Sequence, residues 1–175
     1  QFAHFKAKNQ LMKMGDEIMS STWPNNEGVG IYCPYQQSAR DYYWQCLYEG
    51  LVNKGVDAYW VDSSEPDHYQ GGEDWEKTND FIVLNKDDAD NATLNPHSLE
   101  TTHTWRAMRN VFPLMHASGV YEGHRAQKTE FTEAKRVMIM TRSGFVGLQR
   151  YGAGTWSGDV TASWETLANQ IPAAL

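Results

Sequence analysis

The sequence predicts an α/β fold in which short parallel strands alternate with helices. A helical pattern over residues 39–53 is followed by a glycine and then by a β-prone run that ends at Asp62. A second run, residues 136–141, is almost continuously apolar, which is typical of a strand buried on both faces. Strands that alternate with helices through short connections are usually parallel, so we expect both runs to lie in one parallel sheet.

The first half of the chain contains the elements of one strand–helix–strand unit. Residues 29–33 read as a short strand. Ser38 is the expected N-cap of the helix that follows, and Gly55 is the expected stop after it. The next strand leads to Asp62, and we therefore predict a βαβ unit with parallel strands.

Helical spacing returns in the second half of the chain. A helix is predicted over residues 98–117, where Pro113 should kink or end it, and a second short helix over 122–131. A last helix is expected over residues 161–171, with an apolar face. That face consists of Trp164, Leu167 and Ile171.

Composition excludes two classes of partner. The chain has 175 residues and a net charge of −7, from 22 acidic and 15 basic residues. No basic patch is available to neutralise phosphates, so we expect no nucleic-acid partner, and no apolar run is long enough for membrane insertion. Aromatic residues make up 13% of the chain. This richness suits a sugar-binding cleft, although a large barrel core explains many of these residues equally well.

The organisation predicted is one domain over residues 1–175 that carries an acidic loop insertion over residues 67–96. The two cysteines, Cys33 and Cys46, are too few for a zinc site or a disulfide scaffold, and we expect both to be free thiols. The chain has no initiator methionine and starts within a pattern at Gln1. We therefore expect it to be a fragment of a longer protein.

Charged residues stand at three predicted strand ends. Asp62 follows the first run, Arg142 follows the second, and Asp159 follows a glycine-punctuated third segment. Two carboxylates that converge on one cleft with aromatic neighbours are the apparatus of glycoside hydrolysis. Asp62 could instead be a helix N-cap or a surface ion-pair residue, and Arg142 could be part of a structural ion pair.

Four segments have the form of known sequence motifs. The segment at 60–66 reads WVDSSEP, and the segment at 135–151 reads KRVMIMTRSGFVGLQRY. The segment at 156–159 reads WSGD, and the one at 39–44 reads ARDYYW. In this order they resemble the W-x-D-x-x-E-P nucleophile motif, the fifth-strand block, the acid/base block and the helix before the nucleophile strand of glycoside hydrolase family 31.

This resemblance implies a (β/α)8 TIM barrel, of which the chain would hold about three to four strands, and a retaining α-glycosidase. By motif, Asp62 would be the nucleophile and Asp159 the general acid/base. Trp60, Arg142 and Trp156 would line the sugar subsite, with Glu65 as a supporting carboxylate. The resemblance implies no metal and no cofactor.

The substrate expected from the resemblance is an oligosaccharide or polysaccharide-derived α-glycoside, hydrolysed by an α-glucosidase or α-xylosidase. An α-galactosidase, a transglycosidase or a non-catalytic carbohydrate-binding relative remains an alternative. The family often has an aspartate where this chain has Cys33, and a His-Asn pair where it has Arg109 and Asn110. Its early-strand aspartate and late-strand histidine have no place here, so we expect the isolated chain to be inactive. The resemblance favours a periplasmic, secreted or cell-surface location, and the oligomeric state stays open.

Overall fold

The described part of the chain contains four helices and seven short strands. The computed structural model describes residues 1–14, 17–20, 29–65, 81–82, 103–104, 108–129 and 135–174. The helices are α1 (Phe2–Ala7), α2 (Gln37–Gly50), α3 (Phe112–Ala126) and α4 (Trp164–Ala174). The strands are β1 (Lys13–Met14), β2 (Glu17–Ile18), β3 (Ala58–Val61), β4 (Phe81–Ile82), β5 (His103–Thr104), β6 (Met138–Thr141) and β7 (Ala153–Thr155).

Three of these strands form a parallel sheet in the order β3-β6-β7. In its register, Val61 at the end of β3 lies opposite Thr141 at the end of β6, and Thr141 lies opposite Thr155 at the end of β7. The loops after all three strands therefore leave the sheet at one edge. The α/β class with parallel strands and flanking helices is confirmed.

Helices α2 and α3 cover one face of this sheet. Tyr59 of β3 and Ile139 of β6 point to that face, where they are buried with Trp44 of α2 and Val120 of α3. The two helices pack closely because Gly123 has no side chain, and a Cβ atom there would lie 2.2 Å from Cγ of Trp44. This packing holds β3 and β6 in place from one side.

The opposite face of the sheet is open to solvent in this chain. Trp60, Met138 and Met140 are 74%, 48% and 40% exposed. The prediction that residues 136–141 form a strand buried on both faces is therefore wrong for this chain. Side chains alternate along a strand, and only the face toward α2 and α3 is covered.

Residues 29–33 do not join the parallel sheet. The bridge between Leu11 and Tyr32 is antiparallel, and the Cys33 N–H donates to the Gln10 carbonyl at 2.8 Å. The backbone of Ile31 is also hydrogen-bonded to residues near the N-terminus. The predicted βαβ unit is therefore wrong at its first strand, and the parallel unit in the structure is β3-α3-β6. A local sequence pattern does not identify the partner of residues 29–33, because their backbone hydrogen bonds join segments that are separated in the sequence.

Helix α2 begins earlier than predicted. Its N-cap is Gln36, so Ser38 lies inside the helix and the prediction of a Ser38 cap is wrong. The Gln37 side chain donates to Asp41 one turn later, at 2.7 Å, which supports the first turn. After α2 comes a 3-10 turn that ends at Gly55, whose φ of 99° is the left-handed stop that was predicted.

Among the described residues, the one helix α3 stands where two helices were predicted, over residues 98–117 and 122–131. It starts at Phe112 after a 3-10 turn, and Pro113 stands in its first turn. A proline there costs no hydrogen bond, because the first N–H groups of a helix have no partner within it. Pro113 therefore starts the helix instead of kinking or ending it. Residues 98–102, 105–107 and 130–131 of the two predicted helices lie outside the described residues.

The segment between β3 and α3 is described only at two short strands. Strand β5 pairs antiparallel with β4, so residues 103–104 are not helical as predicted. Apart from β4, the acidic insertion predicted over residues 67–96 lies outside the described residues. The thiols of Cys33 and Cys46 are not joined in a disulfide, as predicted.

Helix α4 follows the third parallel strand and starts later than predicted. The Ser163 hydroxyl accepts the Thr166 N–H at 3.1 Å and so caps the first turn. The predicted apolar face, formed by Trp164, Leu167 and Ile171, is exposed. None of the helices in the described segments is long and apolar enough to cross a membrane.

Candidate active site

The edge where the three parallel strands end carries most of the predicted site residues. Asp62 follows the last residue of β3, Arg142 the last residue of β6, and Trp156 the last residue of β7. Because these last residues are neighbours in the sheet, side chains far apart in sequence emerge side by side. In α/β folds, binding and catalytic groups collect at this edge.

Arg142 is the side chain that joins the strand ends. Its Nη1 lies 3.4 Å from Oδ1 of Asp62, and its Nη2 donates to Oε1 of Glu65 and, at 3.3 Å, to the Ser63 hydroxyl. The Arg142 backbone N–H also donates to the Val61 carbonyl at 3.2 Å. The backbone of Arg142 therefore bonds the end of β3, and its side chain bonds the loop after β3.

The Asp62 carboxylate is accessible at this edge. Its side chain is 57% exposed, and its Oδ1 accepts the N–H of Ser63 at 2.8 Å. The Ser63 backbone has a φ of 48°, in the left-handed region that residues other than glycine rarely adopt. This turn directs the chain from the strand into the Glu65 loop while Asp62 stays beside Arg142.

Asp159 belongs to a loop that lies against the same arginine. Gly158 has a φ of 72°, and a Cβ atom on it would lie 3.3 Å from Cδ of Arg142. The hydrogen bond that Arg142 donates to Glu65 raises the pKa of Arg142, and the nearby charges of Glu65, Asp62 and Asp159 raise it further. The guanidinium is therefore stabilised by acidic side chains from two different strand ends.

Two tryptophans stand next to the charged groups. The rings of Trp60 and Trp156 meet edge to face, with centroids 5.7 Å apart and planes at 75°. Trp60 lies two residues before Asp62, and its ring is mostly exposed. An exposed aromatic surface beside carboxylates can cover the apolar face of a sugar ring.

The structure also brings together three hydroxyl residues that sequence reasoning missed. Ser64, Thr141 and Ser143 form a hydrogen-bonded group, in which Ser64 and Thr141 are buried and Ser143 is half-buried. Serine and threonine have no motif of their own here, and the only signal was the Ser63-Ser64 pair between the two acids. Within the described part of the chain, no three His, Cys, Asp or Glu side chains group closely enough to hold a metal ion.

Parallel strands flanked by helices, with acidic and aromatic side chains at the strand ends, are typical of α/β barrels. Residues 1–175 match the model of the glycosyl hydrolases family 31 TIM-barrel domain. The chain therefore belongs to glycoside hydrolase family 31, and the predicted partial barrel of this family is confirmed.

Relatives of known activity support the same assignment. An alpha-xylosidase of Saccharolobus solfataricus is 32% identical over 95% of this chain, which covers 22% of that protein. An alpha-glucosidase of the same organism is 27% identical over 94% of this chain, which covers 23% of that protein. The chain thus spans about a fifth of the length of these relatives.

Solved structures agree with this fold. The crystal structure of a GH31 alpha-xylosidase from Xanthomonas citri is 30% identical, with a TM-score of 0.68 over 97% of this chain and 16% of that chain. A GH31 dextranase from Flavobacterium johnsoniae, complexed with glucose, has a TM-score of 0.72 at 24% identity. The match covers 98% of this chain and 19% of the dextranase chain, and at this identity it supports the fold alone.

Proposed function

We propose that the protein containing this chain is a retaining α-glycoside hydrolase of the α-xylosidase or α-glucosidase type. It would remove terminal α-linked sugars from oligosaccharides or polysaccharide-derived α-glycosides by double displacement. The observation that carries this proposal is the contact of Arg142 with Asp62, next to the loop of Asp159. Membership in the family and the identity to an alpha-xylosidase and an alpha-glucosidase support the sugar class.

In the first step, Asp62 acts as the nucleophile. Both contacts described for its carboxylate involve Oδ1, so Oδ2 is the oxygen that attacks the anomeric carbon. A bond forms between Oδ2 and this carbon while the bond to the leaving oxygen breaks. Asp159 donates its proton to that oxygen, and the first product leaves as an alcohol.

In the second step, the ester on Asp62 is hydrolysed. Asp159, now a carboxylate, takes a proton from water, and the water oxygen attacks the anomeric carbon. The bond to Asp62 breaks and the nucleophile is restored with the sugar configuration retained. Two displacements of this kind need carboxyl groups about 5–5.5 Å apart.

The remaining residues hold the sugar and the nucleophile. Arg142 balances the negative charge of Asp62 before the ester forms, and Glu65 fixes the guanidinium from its other side. Trp60 and Trp156 supply the aromatic walls of the subsite. A xyloside and a glucoside differ by one hydroxymethyl group, and we propose that the subsite accepts one or both.

The test measures initial rates of the full-length parent on aryl α-xyloside, α-glucoside and α-galactoside. We expect turnover of the xyloside or the glucoside, and Asp62→Ala should lower it by roughly a thousandfold or more. Asp41→Ala is the matched control, because Asp41 is an exposed aspartate on α2 whose carboxylate accepts from the Gln37 side chain of the same helix.

Other outcomes identify the alternatives. Turnover of the galactoside alone would identify the parent as an α-galactosidase instead. Sugar transfer in excess of hydrolysis would identify it as a transglycosidase. A folded parent that binds α-glycosides without turning any over would be a carbohydrate-binding relative.

A further inference from the structure

The hydroxyl of Ser64 occupies the junction between the two strand ends that carry Asp62 and Arg142. Ser64 is only 3% exposed, and Thr141, at the end of β6, is 1% exposed. Ser64 Oγ lies 2.7 Å from Thr141 Oγ1 and 3.0 Å from Ser143 Oγ, and it accepts the Ser143 N–H at 3.1 Å. A buried side chain with this many contacts connects the two loops directly.

The donors and acceptors of this group allow each hydrogen bond to be assigned a direction. Thr141 uses its single hydroxyl hydrogen on the Ser143 carbonyl, at 3.0 Å. Its oxygen therefore accepts the hydroxyl hydrogen of Ser64, while Ser64 accepts the Ser143 N–H. The bonds close a ring through Ser64, Thr141 and the backbone of Ser143, and this ring fixes the turn that carries Arg142.

The ring is also connected to the charged groups. The Ser143 hydroxyl donates to Oε2 of Glu65 at 3.3 Å, and Oε1 of Glu65 accepts from Arg142. Arg142 in turn lies 3.4 Å from Asp62. The strained backbone of Ser63 comes just before Ser64, and such a conformation persists only where neighbouring contacts hold it.

We propose that Ser64 is a positioning residue for the reaction. This proposal rests on the function proposed above. It does not touch the sugar. Its hydroxyl holds the Asp62 loop against the Arg142 turn, so that the nucleophile stands where it attacks. A misplacement of a reacting group by about 1 Å can cost roughly a hundredfold in rate, so a loss of this ring should appear in kcat.

The test uses four variants of the full-length parent. Ser64→Ala and Thr141→Val each break the ring with little change in volume, and each should lower kcat by about 10- to 100-fold with KM within about threefold. Thr141→Ser keeps the hydroxyl, and its kcat should stay within about threefold of wild type.

Ser118→Ala is the matched control. Ser118 is as buried as Thr141, and its hydroxyl donates at 2.7 Å to the Met115 carbonyl within the same helix, α3. A general effect of removing a buried hydroxyl should appear in this variant too. We expect Ser118→Ala to keep the wild-type kcat, and a loss equal to that of Ser64→Ala would overturn the positioning role.

A crystal structure of the Ser64→Ala parent gives a readout that does not depend on turnover. We expect Nη1 of Arg142 and Oδ1 of Asp62 to move apart from 3.4 Å. An unchanged distance together with an unchanged kcat would overturn the positioning role while leaving the glycosidase intact. If the wild-type parent turns over no α-glycoside, the proposed function fails, and the distance in this variant alone decides the role of Ser64.

Discussion

Arg142 contacts the loop after β3 through both ends of its guanidinium. Nη1 faces Asp62, whereas Nη2 bonds Glu65 and Ser63. A lysine has one nitrogen and could not bridge the two carboxylates with the same geometry. The orientation of Asp62, the proposed nucleophile, therefore depends on the planar fork of an arginine as well as on its charge.

His116 is a second residue whose protonation depends on its surroundings. It lies on α3 and bonds the Tyr32 hydroxyl. Burial lowers the pKa of His116 from 6.5 to about 4. Between these two pH values the unfolded chain binds a proton that the folded chain does not. Stability is therefore fully present above pH 6.5 and is lost as the pH falls toward 4.

We predict that His116→Phe reduces this acid sensitivity. The loss between pH 6.5 and pH 4 should be on the order of 3 kcal/mol for the wild type and smaller for the variant. The measurement is the melting temperature of the full-length parent across this range.

Tyr32→Phe serves as the control for His116→Phe, because it removes the hydrogen bond and keeps the buried imidazole. It should retain the wild-type pH dependence. Equal pH dependence in the wild type and His116→Phe would contradict the assignment of the effect to His116.

Among the secondary-structure elements, the contact between α2 and α3 depends on one glycine. We predict that Gly123→Ala destabilises the protein by about 1–3 kcal/mol, because the new methyl group overlaps the ring of Trp44. Gly50→Ala is the matched control, since Gly50 is also helical and a Cβ there meets nothing within 4 Å.

Chemical unfolding of the parent measures both variants. Gly50→Ala should be neutral, or stabilising by up to about 1 kcal/mol through helix propensity. Equal stabilities of Gly123→Ala and Gly50→Ala would show that the two helices do not pack as described.

Local patterns predicted the elements that carry the site, and they failed where the structure depends on distant partners. Asp62 and Arg142 were predicted at strand ends because a β-prone run followed by polar residues has a local signature. The partners of residues 31–33 lie near the N-terminus, and no local pattern identifies them. The function of Pro113 depends on which turn of the helix it occupies, and an apolar periodicity does not define that turn.

The site shows the same division. The acidic and aromatic residues could be proposed from the sequence because their chemistry is specific and the motifs place them in order along the chain. Ser64 and Thr141 were missed because a hydroxyl acquires its meaning only from the atoms around it. The contact between them joins residues 77 positions apart in the sequence.

At the scale of the whole molecule, one face of the parallel sheet is exposed to solvent. Trp60, Met138 and Met140 expose apolar area on the side away from α2 and α3. The chain spans about a fifth of its relatives, so this area is exposed in the chain by itself. An apolar patch of this kind favours self-association.

We predict that the isolated chain self-associates and that the double substitution Met138→Thr and Met140→Thr reduces this. Threonine keeps the strand propensity and makes the open face more polar. Sedimentation velocity over a range of concentrations measures the change.

The control for the open face is Val146→Thr. Val146 is 85% exposed but lies in the loop after β6. If Val146→Thr lowers association as much as the double variant does, the open sheet face is not the surface responsible.

In the proposed mechanism, Asp62 forms a covalent bond with the sugar. The most direct measurement treats the full-length parent with a fluorinated α-xylosyl or α-glucosyl fluoride, which slows the second displacement, and identifies the labelled peptide by mass spectrometry. We expect the peptide that contains Asp62 to gain the mass of one fluorinated sugar, and we expect no label at this position in Asp62→Ala. A label on another residue, or turnover with no label on Asp62, would contradict the account.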